Sequence, residues 1–225
     1  MRRKYHRILC IAIALLLAAA LLCTPAAAAQ SGSCGQGLQW QLSGGVLRIT
    51  GTGALPSYTD NSMPPWYGSA GSITTVIVGS GVTAIGDLAF YGCTALTAVR
   101  LPDSVTAIGT AAFKDCSALG SIALPPALLS IGEAAFENCE KLGSITLPAG
   151  LRSIGSFAFY QCSRLTSLEI PEGVVSIGAS ALRIARGLKR VYLPSTLTQL
   201  GTTEAPAVFA PVRESVVLTG ADDLQ

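Results

Sequence analysis

The sequence predicts a β-rich repeat solenoid. We expect a right-handed coil of about six units of 23 residues, with short parallel strands, short helical turns and an N-terminal β-hairpin cap. Three observations predict it. Ile73, Leu96, Leu119, Leu142, Leu165 and Leu188 open successive units at a strict spacing. Gly86, Gly109, Gly132, Gly155, Gly178 and Gly201 each follow an aliphatic residue (Ile85, Ile108, Ile131, Ile154, Ile177 and Leu200). Phe90, Phe113, Phe136 and Phe159 make a third column, and Cys93, Cys116, Cys139 and Cys162 run in phase with it. One unit cannot bury its own apolar face, so columns that hold phase this long mean stacked units.

Residues 1–29 hold Arg2, Arg3, Lys4 and Arg7 and no acid, then an apolar run over 8–23 and the small residues Ala26 to Ala29. This is the grammar of a secretory signal peptide cleaved near Ala29. The run is shorter than the ~20 residues needed to span a bilayer, and Leu22 before Cys23 departs from a lipoprotein signal. No later run is longer, so we expect no membrane span after cleavage. The rest of the chain has 11 basic and 13 acidic side chains, net −2. A near-neutral, charge-poor chain lacks the basic footprint of a nucleic-acid binder. The single histidine, His6, falls in the signal, so histidine catalysis and histidine metal ligation are excluded for the exported chain.

Residues 30–72 read as a leader. Leu38, Trp40 and Leu42 alternate with polar residues, as do Leu47 and Ile49, around Ser43, Gly44 and Gly45, which predicts a β-hairpin covering the first coil's open edge. Residues 56–71 are loop-rich and contain Pro64, Pro65, Trp66 and Tyr67. Residues 73–201 are the repeats. In the second unit Val99 and Leu101 alternate with Ala98 and Arg100, a short strand that Pro102 ends. Residues 105–108 form a second extended stretch. Gly109 then supplies either a positive-φ turn or a close approach to the neighbouring coil. Ala111, Ala112 and Phe113 suit about one helical turn, turning Phe113 and Cys116 inward. The fifth unit carries Leu182 and Ala185 in place of Phe and Cys. Residues 202–225 form a degenerate last repeat and C-terminal cap, with added residues before Phe209 and a last strand at 215–218. A central Phe136 is expected to be costlier to truncate than Phe90 beside the leader.

The pattern L-x-x-I-x-L-P-x-x-[VL]-x-x-I-G-x-x-A-F-x-x-C, which residues 142–162 follow closely, resembles the BspA-type bacterial leucine-rich repeat. The resemblance covers residues 73–201 and extends back toward Cys34. It implies an exported, non-enzymatic protein, secreted or at the bacterial cell surface, that binds a protein or glycan in adhesion-type contacts. The alternative is an accessory or structural repeat domain, or a remnant, of a larger surface enzyme or adhesin.

No catalytic, cofactor or metal site is expected. A straight ladder of cysteines does not converge on a metal tetrahedrally, and apolar surroundings keep thiols neutral. They read as small core residues, with disulfides between neighbouring coils as the alternative. Trp40, Trp66 and Tyr67 read either as leader packing or as a sugar platform. Glu133 and Glu137 share a turn, which does not place them across a cleft as glycosidase carboxylates must be. A partner is expected on the outward positions of the first strands, stacked into one continuous face, where Arg100, Thr146, Glu169, Arg190 and Tyr192 stand out. Arg and Tyr are the types enriched among binding hot spots.

Overall fold

The alternating leader residues do form strands. In the computed structural model, which describes residues 29–201 and the strand Val217–Thr219, β1 (Gln30–Gly35), β2 (Leu38–Ser43) and β3 (Val46–Gly51) pair antiparallel in order. β2 buries Leu38, Trp40 and Leu42 and exposes Gln39, Gln41 and Ser43. Gly44 and Gly45 join it to β3 at φ 55° and 77°, the positive values that a two-residue hairpin turn needs at both positions. β1 was not expected. Its sequence, Gln-Ser-Gly-Ser-Cys-Gly, has no apolar alternation, and pairing with β2 alone makes it a strand. The expected signal peptide, all but Ala29, and the added residues before Phe209 lie outside the described residues.

Each repeat contributes two short strands. After β4 (Gly53–Ala54) and a 3₁₀ turn at Tyr67–Ser72 come β5 (Thr75–Val78) and β6 (Val82–Ile85), then β7 (Ala98–Arg100) and β8 (Ala107–Ile108). β9 (Ser121–Ala123), β10 (Ser130–Ile131), β11 (Ser144–Thr146) and β12 (Ser153–Ile154) follow. The described strands end with β13 (Ser167–Glu169), β14 (Ser176–Ile177), β15 (Arg190–Tyr192), β16 (Gln199–Leu200) and β17 (Val217–Thr219). The second strands stack as one seven-stranded ladder, β4-β6-β8-β10-β12-β14-β16. Its parallel register sets Ile85 on Ile108, Ile131 on Ile154 and Ile154 on Ile177. Through β3 on β5 and β4 on β6 the leader joins both ladders as an extra coil.

The third side of each coil departs from the expected helical turn. Leu88, Ala111, Ala134, Phe157 and Ser180 all sit at φ between 51° and 57°, and Asp115, Asn138, Gln161 and Ile184 at φ between 58° and 62°. A left-handed residue costs about 1–2 kcal/mol and ends any helix. What it gains is hydrogen bonding between coils. The amides of Ala111, Phe113 and Asp115 donate to the carbonyls of Glu133, Ala135 and Glu137 at 2.8 Å, while Lys114 and Cys116 close local turns. A helical turn would have used these amides within its own coil. The glycine after the second strand serves close approach rather than positive φ. A Cβ on Gly155 would lie 2.6 Å from the carbonyl carbon of Gly132, so nothing larger fits at that spacing.

Inside, Phe90, Phe113, Phe136 and Phe159 are fully buried and stack at ring separations of 5.2, 5.4 and 5.6 Å. Leu182 continues the column at the C-terminal side, and Trp66 continues it at the other, 6.1 Å from Phe90. Phe90 therefore has an aromatic neighbour on both faces, and the expected difference from Phe136 disappears. Phe90→Ala and Phe136→Ala should each cost about 3–5 kcal/mol, with similar falls in the urea unfolding midpoint. A Phe90→Ala loss well below the Phe136→Ala loss would show that the leader packs more loosely than a coil.

Candidate binding surface

The five outward residues singled out from the sequence, Arg100, Thr146, Glu169, Arg190 and Tyr192, are all exposed. Strand alternation puts them there, because Ile145, Leu168 and Val191 between them are held inward. The first strands stack coil on coil, β7 against β9 and β11 against β13, and ladder hydrogen bonds group them as β3-β5-β7, β9-β11 and β13-β15-β17. Arg100 and Thr146 lie in the first two, paired with Ile77 and Ala123. Glu169, Arg190 and Tyr192 come together in the third, where Glu169 is the register partner of Tyr192 and Ser167 of Arg190. The breaks between these groups fall where a glycine meets a threonine just before the strands, Thr97 beside Gly120 and Gly143 beside Thr166. On its other side β15 pairs with β17, with Tyr192 opposite Thr219.

The aromatic alternatives are resolved. Trp66 is 1% exposed and its indole N–H donates to the Ala89 carbonyl at 2.8 Å. Trp40 packs edge-on against it at 5.8 Å. Both belong to the core. Tyr67 is 41% exposed and stacks on Tyr91 at 6.2 Å. Glu137 does not face Glu133; it accepts an ion pair from Lys114 Nζ at 3.0 Å. Burial works against the Lys114 charge, and the Glu137 carboxylate more than compensates, raising the lysine's pKa. As a partly exposed pair it contributes less than about 1 kcal/mol.

Cys34, Cys93, Cys116, Cys139 and Cys162 are free and buried. The thiols of Cys116, Cys139 and Cys162 donate to the carbonyls of Phe90, Phe113 and Phe136 at 3.3, 3.2 and 3.2 Å. Each cysteine thus occupies the second lone pair of a phenylalanine carbonyl in the coil before. Residue type and spacing show only a small core residue here; the carbonyl partner exists only after stacking. Burial pushes Cys93 and Cys162 up to about 12 and Cys34 to about 11, and lifts Cys116 and Cys139 well above the usual thiol range. Such thiols are neutral near pH 7 and poor nucleophiles. Among the described residues no group of three His, Cys, Asp or Glu is placed to hold a metal ion, and no helix is long and apolar enough to cross a membrane.

Comparison with known proteins returned the family described as the BspA type leucine rich repeat region, matching residues 83–204 in six copies. The leucine-rich repeat protein of T. pallidum is 30% identical with a TM-score of 0.59, over 78% of this chain and 89% of that one. A leucine-rich repeat protein from Eubacterium ventriosum is 22% identical with a TM-score of 0.43, over 81% and 82%. The pneumococcal vaccine antigen PcpA is 17% identical with a TM-score of 0.51, over 74% of this chain and 50% of that one. No curated protein matches.

Two outcomes follow from the geometry. The folded state keeps its thiols protonated, whereas the unfolded chain releases those protons from the ordinary value of 9.0. The stabilisation is complete below about pH 9 and falls as pH rises toward about 12. Urea unfolding should therefore show a lower midpoint at about pH 10 than at about pH 8, and a smaller decline in Cys93→Ala/Cys162→Ala. An unchanged decline in that variant would assign the alkaline loss to other groups. Trp66→Ala should destabilise by about 3–5 kcal/mol, and Tyr67→Ala by less than about 1, both read by thermal melting.

Proposed function

The chain belongs to the BspA-type leucine-rich repeat family, and from that premise we propose that it is an exported, non-enzymatic binding protein of the bacterial surface, holding a protein or glycan partner in an adhesion-type contact. The observation that carries this reading is the trio Glu169, Arg190 and Tyr192. These exposed side chains stand on two register-paired strands whose inward residues, Leu168 and Val191, are 1% and 0% exposed. Side chains displayed on a packed sheet lose little backbone freedom on binding, so more of the contact energy appears as affinity. Arg and Tyr on one strand supply a charged fork and an amphipathic ring, the combination found at energetic hot spots.

Other features support the same reading. The buried cysteines are neutral, Cys116, Cys139 and Cys162 are bonded to carbonyls, Glu137 is ion-paired, and the exported chain expected from residues 1–29 has no histidine. The side chains with chemical capacity thus serve the solenoid itself, and outward positions remain for recognition. The basic, apolar and small-residue segments of residues 1–29 support export.

The test is a binding panel of immobilised matrix proteins and glycans probed with the purified chain. Arg190→Ala/Tyr192→Ala should weaken whatever binds by at least about tenfold, and leave the melting temperature within about 2 °C of the parent. Full binding by that variant, together with loss on Tyr67→Ala, would move the site to the leader.

A further inference from the structure

The near-zero net charge of the chain conceals a segregation along the solenoid. Residues 29–140 carry three basic side chains and seven acidic ones. Residues 141–201 carry seven basic side chains, Lys141, Arg152, Arg164, Arg183, Arg186, Lys189 and Arg190, against Glu169 and Glu172 alone. We propose that the basic end of the array binds a sulfated polysaccharide along a strip formed by Lys141, Arg164, Arg186, Lys189 and Arg190.

The fold, and not composition alone, assembles this strip. Lys141 and Arg164 occupy the same place in successive coils, 23 residues apart. In the next coil that place is Gly187, and its bare backbone lies directly on the coil before. A Cβ there would stand 2.6 Å from the Ser163 carbonyl oxygen and 3.2 Å from the carbonyl carbon of Arg164. Arg186 and Lys189 therefore flank the point at which their coil rests on Arg164. The Lys189 amide donates to the Thr166 carbonyl at 2.9 Å and fixes the segment that leads into β15 and Arg190. All five side chains are exposed. Among the described residues the single salt bridge joins Lys114 to Glu137, so none of the five is ion-paired to a described acid. The acids nearest to the strip in the repeat are Glu140, in the column of Ser163 and Arg186, and Glu169 on β13, which leaves a clear positive excess. Residues 202–225, of which β17 alone is described, add four acids and one arginine.

The chemistry favours a sulfated sugar chain. Arginine forks and lysine ammonium groups match sulfate and carboxylate oxygens, and coils about 4.8 Å apart repeat the charge along a line that a linear polyanion can follow. Single-stranded nucleic acid would instead call for a series of exposed rings on which bases stack. Among the described residues this end exposes Tyr192, Phe157 and Tyr160 are half-buried and packed edge-on against each other, and the Tyr67–Tyr91 stack lies at the acidic end.

The inference rests on the reading of the chain as a binding module and names the chemistry of one ligand. Its test uses heparin as the probe and elution with salt as the readout. The purified chain should be retained at about 0.15 M salt, where exposed charges act over only about 8 Å. Arg164→Ala/Arg186→Ala/Lys189→Ala should elute earlier and lower the logarithmic salt slope by about 2–3, with an unchanged melting temperature. Arg48→Ala, which removes the same kind of charge from the acidic half, should elute with the parent. Failure to bind heparin, equal loss in the two variants, or equal affinity for duplex DNA of matched charge would overturn the inference. If heparin fails while a panel partner still depends on Arg190 and Tyr192, this inference falls and the binding-module reading stands. If heparin binding depends on the triple variant while the panel is indifferent to Arg190 and Tyr192, the strip stands and the first-strand site falls.

Discussion

Every coil of this protein has to lie flat on the next along its whole perimeter, at the distance that strand pairing sets, and each unusual feature of the chain follows from that constraint. On the second-strand side the spacing is kept by glycine, since a methyl on Gly132, Gly155 or Gly178 would enter the backbone of the preceding coil. On the opposite side it is kept by residues in the left-handed region, which turn alternate amides toward the next coil. Such conformations are unfavourable singly, and at Leu88, Ala111, Asp115, Ala134, Asn138, Phe157 and Gln161 each delivers an amide to a carbonyl of the next coil.

The interior answers the same constraint with side chains. Rings of Phe113, Phe136 and Phe159 lie parallel within 3° because each coil repeats the last with almost no rotation at that column. The thiol ladder behind them satisfies carbonyl lone pairs that the backbone leaves over. Cysteine suits the place because it is small, largely apolar and a weak donor, so it takes the bond without the desolvation cost of a hydroxyl. Conserving the coil therefore occupies nearly every inward group. The outward groups are free to differ from coil to coil, which is where charge accumulates in residues 141–201 and where Glu169, Arg190 and Tyr192 stand together.

Much of the fold was legible in the residues because a period is a property of the chain itself. The columns of Ile, Gly, Phe and Cys announced stacking, and the alternation of Leu38, Trp40 and Leu42 announced the hairpin. β1 was not legible, because small polar residues become a strand only when β2 offers a paired edge. Nor was the turn after the second strand, where Ala111, Ala112 and Phe113 have local helical preference and the neighbouring coil's carbonyls override it. Trp66 shows the same limit in the core: it stands 24 residues before Phe90, out of phase with the repeat, and only the packed structure places it in the phenylalanine column.

For the candidate surface the division is similar. Strand alternation alone determined that Arg100, Thr146, Glu169, Arg190 and Tyr192 point outward, because inward neighbours of a two-faced strand must be apolar. Which of them lie side by side was decided by pairing between coils. Glu169, Arg190 and Tyr192 are neighbours on the register-paired β13 and β15, while Arg100 and Thr146 stand on other coils of the stack, opposite Ile77 and Ala123. Likewise the sequence by itself determined the period, the coil and the inventory of charges. The tertiary structure decided which charges are cancelled and which are laid side by side, because distance between side chains in a solenoid is set by stacking across coils and not by separation along the chain.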